Sequence, residues 1–225
     1  MAALLAAGLR RLGVRVGVYK PVASGVGGGP DAERASDAVI LWKATERPLT
    51  CEDVCPQSFS APVAPPVAAH REGRVVDRRR LRHGLAVWAG RCDIVLVEGA
   101  GGLLSPLSDE DLVADLCCDF RYPLLIVVAN RLGTVNHTLL TLRVAATYGG
   151  GLSVAGLILN DVLPSEQLDS SSGDNRKLIE RHAGVPVLAH VRYGQERLAD
   201  EVLERLFGIA EIEAGRGECF GATGV

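Results

Sequence analysis

Apolar residues along this chain gather into short, nearly unbroken runs, and each run ends in a polar or glycine-rich exit. Val14 to Tyr19 leads into Lys20-Pro21-Val22-Ala23-Ser24-Gly25, and Asp93 to Val97 (DIVLV) leads into Glu98-Gly99-Ala100-Gly101-Gly102. Leu124 to Ala129 (LLIVVA) is followed by Gly133 to Asn136, and Val154 to Leu159 (VAGLIL) by Asn160-Asp161. Apolar runs without alternation are what strands covered on both faces require. Helical patterns lie between them. Met1 to Leu12 is rich in Ala, Leu and Arg and stops at Gly13, a C-cap position; Ser36 can cap a helix reaching Lys43; Asp77 to Trp88 is amphipathic with a basic outer face. A further helix is predicted from about Asn136 to Tyr148, a last strand over Val185 to Val191 and a last helix over Glu196 to Phe207. Pro62, Pro65 and Pro66 predict an extended or turning segment, and Gly25 to Pro30 a loop. The rhythm of strand, polar exit and helix predicts an α/β fold, a parallel sheet covered by helices on both faces. Residues 1–208 are expected to form a single domain, and the Gly- and Glu-rich residues 209–225 a flexible tail.

Composition narrows the class. With 225 residues, 48% of them hydrophobic but only 4% aromatic, the chain can bury one large aliphatic core. A formal net charge of -3, with both signs mixed along the sequence, offers no electrostatic footprint for nucleic acid or an anionic membrane, so small molecules are the expected partners. Met1 to Leu12 has no basic leader and no long apolar core, and the expected location is cytoplasmic. Cysteines at 51, 55, 92, 117, 118 and 219 match no common zinc spacing and are expected as reduced thiols. Histidines at 70, 83, 137, 182 and 190 show no H-x-x-x-H pair and no Ser-His-Asp set, which argues against zinc hydrolysis and triad chemistry.

In an open parallel sheet, ligands bind outside the carboxyl ends of the strands, so the exits carry the candidate chemistry. Any one exit by itself reads more readily as an ordinary turn. Together they offer a cation, Lys20; two oxygen donors for Mg²⁺, Asp37 and Glu98; and glycines at 99, 101 and 102 that let backbone N–H groups approach an anion. That inventory suits phosphoryl transfer. Asp37 also has a purely structural reading, the first turn of a helix capped by Ser36.

These residues resemble a known family. Tyr19-Lys20-Pro21-Val22-Ala23-Ser24-Gly25, Ser36-Asp37-Ala38, the FSAPVAPPVAA segment from Phe59 to Ala69, Val97 to Gly102, Leu132 to His137 and Asn160-Asp161 look like dethiobiotin synthetase, in family order over about residues 5 to 207. The resemblance implies a P-loop NTPase-like fold and a homodimer that converts 7,8-diaminononanoate, CO₂ and MgATP into dethiobiotin, ADP and phosphate. It implies Lys20 as the catalytic cation and Ser24 as a substrate contact, with Gly133, Thr134, Val135 and Asn136 near the substrate carboxylate. Asp37 and Glu98 would hold Mg²⁺, the cofactor. ATP, the co-substrate, would lie against Asp37, Glu98, Gly99, Ala100, Gly101, Asn160 and Asp161.

The chain departs from the family pattern in two places. No G-x-x-x-x-G-K-S/T motif occurs in the 225 residues, so the loop that would cradle the phosphates, with its first strand, is absent from the sequence. Roughly ten to fifteen codons ahead of Met1 are expected to encode that strand and loop. Val191-Arg192-Tyr193-Gly194 also replaces the Pro-containing segment that would touch the nucleotide base. Two readings follow: a synthetase, or a truncated, non-catalytic homologue acting as a partner or regulatory remnant.

Overall fold

The computed structural model describes residues 1–27 and 36–216. The loop expected over 25–30 therefore lies partly, and the end of the expected tail wholly, outside the described residues. Tertiary contacts divide the chain into two compact units, Met1–Arg121 and Tyr122–Val225.

The first unit opens with α1 (Ala2–Arg11), which buries Leu5, Ala6 and Leu9 on one face and ends with Arg10 and Arg11 where the helix dipole favours cations. Then come β1 (Val16–Tyr19), a two-residue β2 (Ala23–Ser24), α2 (Asp37–Ala44), a single turn α3 (Cys51–Val54) and β3 (Ser58–Phe59). The unit closes with α4 (Pro65–Arg71), α5 (Arg78–His83), β4 (Ile94–Val97) and α6 (Val113–Phe120). β1 pairs with β4 and β2 with β3, both in parallel, in the registers Val16↔Ile94 and Ala23↔Ser58. Gly17 is what lets β1 sit under its cover: a Cβ there would lie 2.9 Å from Cys92 Sγ and from the Trp88 ring.

In the second unit β5 (Leu124–Ala129) leads to α7 (Thr134–Thr147), β6 (Val154–Asn160), α8 (Ser172–His182), β7 (Val187–Val191) and α9 (Asp200–Arg216). The sheet order is β5-β6-β7, all parallel. Its central strand carries deeply buried Leu157, Ile158 and Leu159, each at 1% exposure or less, and Ile179 of α8 packs into a cluster with Leu157 and Leu159.

The α/β class read from the sequence is the class observed: parallel strands flanked by helices. Three expectations need correction. Pro65 and Pro66 do not extend the chain; they occupy the first two positions of α4, where a missing N–H costs nothing because it would be unpaired anyway. The helix expected over 77–88 is broken: α5 stops at His83 and Gly84–Trp88 continues as a 3₁₀ turn. The last helix starts at Asp200 rather than Glu196 and runs on to Arg216, so residues 209–216 are helical rather than tail. Gly208 interrupts it by composition only, at roughly 1 kcal/mol relative to Ala, and the Ala and Glu that follow favour the helix.

Each unit leaves an apolar strand at an edge. Among the described residues β4 pairs only with β1 and its four residues are half-buried, whereas all of β1 is buried. Among them β5 likewise pairs only with β6, and Val127 is 45% exposed.

Candidate functional site

In the first unit, β1 delivers Lys20 to the carboxyl edge of the strand pair. The Lys20 backbone N–H donates to Val54 O at 2.8 Å and the Glu98 N–H to Tyr19 O at 2.9 Å, so the two exits are stitched side by side. The Lys20 side chain is buried, and its ammonium meets Glu98 Oε1 at 2.8 Å, Asp37 Oδ2 at 2.9 Å and Gly99 O at 3.3 Å. Burial alone would lower the ammonium pKa, but Glu98 and then Asp37 outweigh it and the net direction is upward, so Lys20 is held charged. Asp37 is presented by the first turn of α2, whose N-cap Ser36 accepts from the Val39 N–H. One turn therefore caps α2 through Ser36 and sets the Asp37 carboxylate against Lys20.

The glycine loop behind Glu98 is shaped chiefly by its own packing. Gly101 has φ +88°, a Cβ on it would collide with Ser105, and Ser105 Oγ accepts from the Gly102 N–H at 2.8 Å. Gly99 faces Val113, which a Cβ would approach to 3.1 Å, and Ala100 packs against the cluster around Phe59 and Leu107. Ser24 lies on β2, half-buried, next to Gly25 at φ +78°.

Farther along the same loop, Asp111 carries a network that sequence reading missed. Its buried carboxylate accepts from Arg78 Nε at 2.6 Å, Arg82 Nη2 at 2.8 Å and Ser108 Oγ at 2.6 Å. Burial acts upward on its pKa, and these donors outweigh it and hold the carboxyl well below the usual range. The R-R-R-x-R run of α5 had been a basic outer face in the sequence; two of its arginines in fact anchor this loop.

In the second unit, Gly133 (φ +89°) turns the chain into α7, which begins at Thr134 rather than at Asn136. Thr134 is buried, Val135 packs into the apolar cluster and Asn136 is exposed. Asn160 is the last residue of β6 and half-buried, and its side-chain amide makes no hydrogen bond among the described residues. Asp161 is different. Its buried carboxylate accepts from Asn130 Nδ2 at 2.7 Å, His190 Nε2 at 2.8 Å and Arg192 Nη1 at 3.1 Å. Burial pushes its pKa up and the three donors outweigh it, for a net depression. Asn130, in turn, accepts from Asn175 Nδ2 of α8 at 2.9 Å. The ends of all three strands are thus tied to one carboxylate.

Comparison with known proteins places this geometry. A family model described as an AAA domain matches residues 1–198. A protein of Rhodopirellula baltica named ATP-dependent dethiobiotin synthetase BioD is 44% identical over 195 residues, covering 82% of this chain and 75% of the relative. Proteins of the same name from Bacillus cereus (strain G9842) and Bacillus thuringiensis (strain Al Hakam) are each 36% identical over 206 residues, 91% of this chain and 82% of the relative. The chain belongs to the dethiobiotin synthetase family. Its parallel α/β architecture is that of a P-loop NTPase-like family.

Of the residues expected from the dethiobiotin synthetase pattern, the first unit brings Lys20, Asp37, Glu98 and Gly99 into direct contact. Asn130, Asn175, His190 and Arg192 were not expected. Asn130 carried a readable signal, since it ends the LLIVVA run as Asn160-Asp161 ends VAGLIL. No such signal marks Asn175, which reaches the cluster from a helix that no apolar periodicity announces. Among the described residues no group of three or more His, Cys, Asp or Glu side chains could hold a metal ion. Asp37 and Glu98 fit Mg²⁺ as a pair: it commonly takes one or two carboxylates and completes its shell with water and phosphate oxygens. No helix among the described residues is long and apolar enough to cross a membrane.

Proposed function

We propose that this protein is an ATP- and Mg²⁺-dependent ligase of biotin biosynthesis that closes the ureido ring of dethiobiotin from 7,8-diaminononanoate and CO₂, residues 1–208 acting as one domain within a cytoplasmic homodimer. The observation that carries the reading is the Lys20 ammonium held between Asp37 and Glu98 at the carboxyl end of β1. Family membership supports the substrates. One amine of the diamine adds to CO₂ and loses a proton, giving a carbamate. A carbamate oxygen takes the γ-phosphoryl group of ATP as ADP leaves, and the second amine attacks the carbonyl carbon and expels phosphate. Lys20 neutralises negative charge gathering on the carbamate and the transferring phosphoryl group. Asp37 and Glu98 hold Mg²⁺, which when bound offsets phosphate charge. Ser24 contacts the substrate, and Gly133, Thr134, Val135 and Asn136, at the start of α7, lie near its carboxylate. Asp37, Glu98, Gly99, Ala100, Gly101, Asn160 and Asp161 form the nucleotide site, with the Asn160 amide reading the base and Asp161 holding the strand end that presents it.

A second reading, a non-catalytic homologue serving as a partner or regulatory remnant, stands beside it. The 225 residues contain no G-x-x-x-x-G-K-S/T loop, the element that wraps phosphates with backbone N–H groups and supplies a lysine and a hydroxyl. ADP formation dependent on diamine and CO₂ separates the two. The 225-residue polypeptide is expected to bind MgATP weakly and turn over slowly, and the same polypeptide preceded by a β-branched strand and such a loop is expected to gain both activities. In that extended form Lys20→Gln should lower kcat by about 10²- to 10³-fold, far more than it lowers ATP affinity. A folded extended form with no diamine-dependent ADP release would sink the ligase reading, and near-normal turnover by Lys20→Gln would remove Lys20 from the catalytic residues.

A further inference from the structure

The first unit contains an open cavity of about 440 Å³ that shares no residue with the Lys20 site. It lies at the opposite end of β1. Arg15 and Val16 line it where the strand begins, whereas Lys20 follows the strand's last residue, about 13 Å away at the rise of a β-strand. Arg10 from the end of α1, Leu49 from the segment after α2, and Trp88 and Arg91 ahead of β4 complete the wall used in the argument.

The chemistry of this wall is one-sided. Three guanidinium groups from three separate segments line it, and no carboxylate does. Two are braced from outside the lining, Arg10 by Glu46 at 2.6 Å and Arg15 by Asp93, which fixes their direction and offsets part of their charge. Arg91 makes no ion pair among the described residues. The guanidinium groups make the wall rich in hydrogen-bond donors, and no carboxylate of the lining answers them. Val16, Leu49 and the Trp88 ring add apolar surface, and the volume lies within the range that holds a small ligand.

We infer that this cavity is a second binding site, for a small organic oxyanion: a phosphate or carboxylate group bound by Arg10, Arg15 and Arg91, with an apolar body against Leu49 and Trp88. Guanidinium forks suit both oxyanions, and the apolar wall favours an organic ligand over the bare ion. The inference does not depend on the ligase reading, because none of its residues belongs to the proposed catalytic or nucleotide site.

Calorimetric titration with phenyl phosphate, benzoate and inorganic phosphate, at constant ionic strength set with chloride, tests it. Saturable binding of one phenyl phosphate per chain is expected, tighter than inorganic phosphate, with benzoate showing whether a carboxylate serves as well. Arg91→Ala should weaken phenyl phosphate about tenfold and Arg91→Glu more, both on an exposed side chain that leaves the fold intact. Lys20→Gln should leave the affinity unchanged. A Trp42→Phe background lets the remaining indole, Trp88, report occupancy by fluorescence. No saturable binding by the parent, unchanged binding by Arg91→Glu, or loss of binding in Lys20→Gln would each overturn the assignment, the last by placing the oxyanion at the Lys20 site.

Discussion

Replacing Asp161 by Asn keeps the side chain's shape and removes its charge, a clean perturbation of the carboxylate that joins the ends of β5, β6 and β7. The wild-type oxygens take three donors: Asn130 Nδ2 at 2.7 Å, His190 Nε2 at 2.8 Å and Arg192 Nη1 at 3.1 Å. Arg192 is 69% exposed on its side chain, so water replaces much of its contribution. The Asn130 and His190 bonds lie in the interior, where a hydrogen bond to a charged group contributes about 1.5–3 kcal/mol. The new NH₂ would also face at least one donor and leave it unsatisfied. A loss of about 3 kcal/mol follows, slightly more than one such bond because the two share an acceptor and do not add fully. Amide hydrogen exchange reads this locally: the N–H groups of Asn130 and Asp161, bonded to Asn160 O and Val191 O, should exchange about a hundredfold faster in Asp161→Asn at neutral pH. The pH dependence has a definite sign. The folded pKa of Asp161 is depressed, so its contribution is fully present above the unfolded value of about 3.9 and is lost as pH falls through the folded one. The difference between variant and parent should shrink below about pH 4, as the Asp161 carboxylate takes up its proton. Exchange within threefold of the parent at neutral pH would refute the reasoning, and so would a difference that persisted undiminished under strongly acid conditions.

Gly17→Ala should destabilise the first unit by about 1–3 kcal/mol, because the added Cβ lies 2.9 Å from both Cys92 Sγ and the Trp88 ring; urea unfolding followed by tryptophan fluorescence measures it, and a neutral effect would mean that the cover over β1 yields freely. In the polypeptide preceded by a strand and phosphate loop, Asp37→Asn and Glu98→Gln should each raise the Mg²⁺ concentration needed for half-maximal ADP release without unfolding the protein, since each removes a charged oxygen donor; parent-like magnesium dependence in both would end their proposed assignment as ligands.

Legibility differed by the kind of signal. β5 was read to the residue because LLIVVA is bounded by Pro123 and Asn130, and β6 within one residue for the same reason. α8 (SGDNRKLIERH) was missed because it buries only Asn175 and Ile179, too little apolar surface to print a helical period on the sequence. The short β2 and β3 were also missed, as two-residue pairings leave no pattern. Lys20, Asp37 and Glu98 could be nominated from their places after apolar runs and on a capped helix, but their convergence depends on the parallel register Tyr19↔Val97 and on where α2 starts, neither of which is local. The Asp111 and Asp161 networks escaped for a related reason. Each joins residues about thirty or more positions apart, and an isolated Asp in a loop has an ordinary turn reading.

The charge arrangement at Lys20 suggests how the proposed site distinguishes a metal-bound nucleotide from a free one. The ammonium is 5% exposed on its side chain, whereas Glu98 is 30% and Asp37 61% exposed, so the cation lies inside and the carboxylates face solvent. With Lys20 charged the trio carries a net -1, which repels a polyphosphate. Glu98 bonds Lys20 through Oε1 and Asp37 through Oδ2, and neither carboxylate's second oxygen has a hydrogen bond among the described residues. Asp37 and Glu98 would hold a divalent cation on their solvent side while Lys20 keeps its inner contacts, and its charge, which would take the formal sum to +1, would favour phosphate oxygens. The buried lysine would thus brace side by side the two carboxylates, which would otherwise repel each other, and it would stay within reach of the transferring group. On this account the lysine and the metal act together rather than as alternatives. Lys20→Gln should therefore weaken Mg²⁺ binding in the absence of nucleotide as well as slow turnover, a pairing that a lysine acting on phosphate alone would not produce.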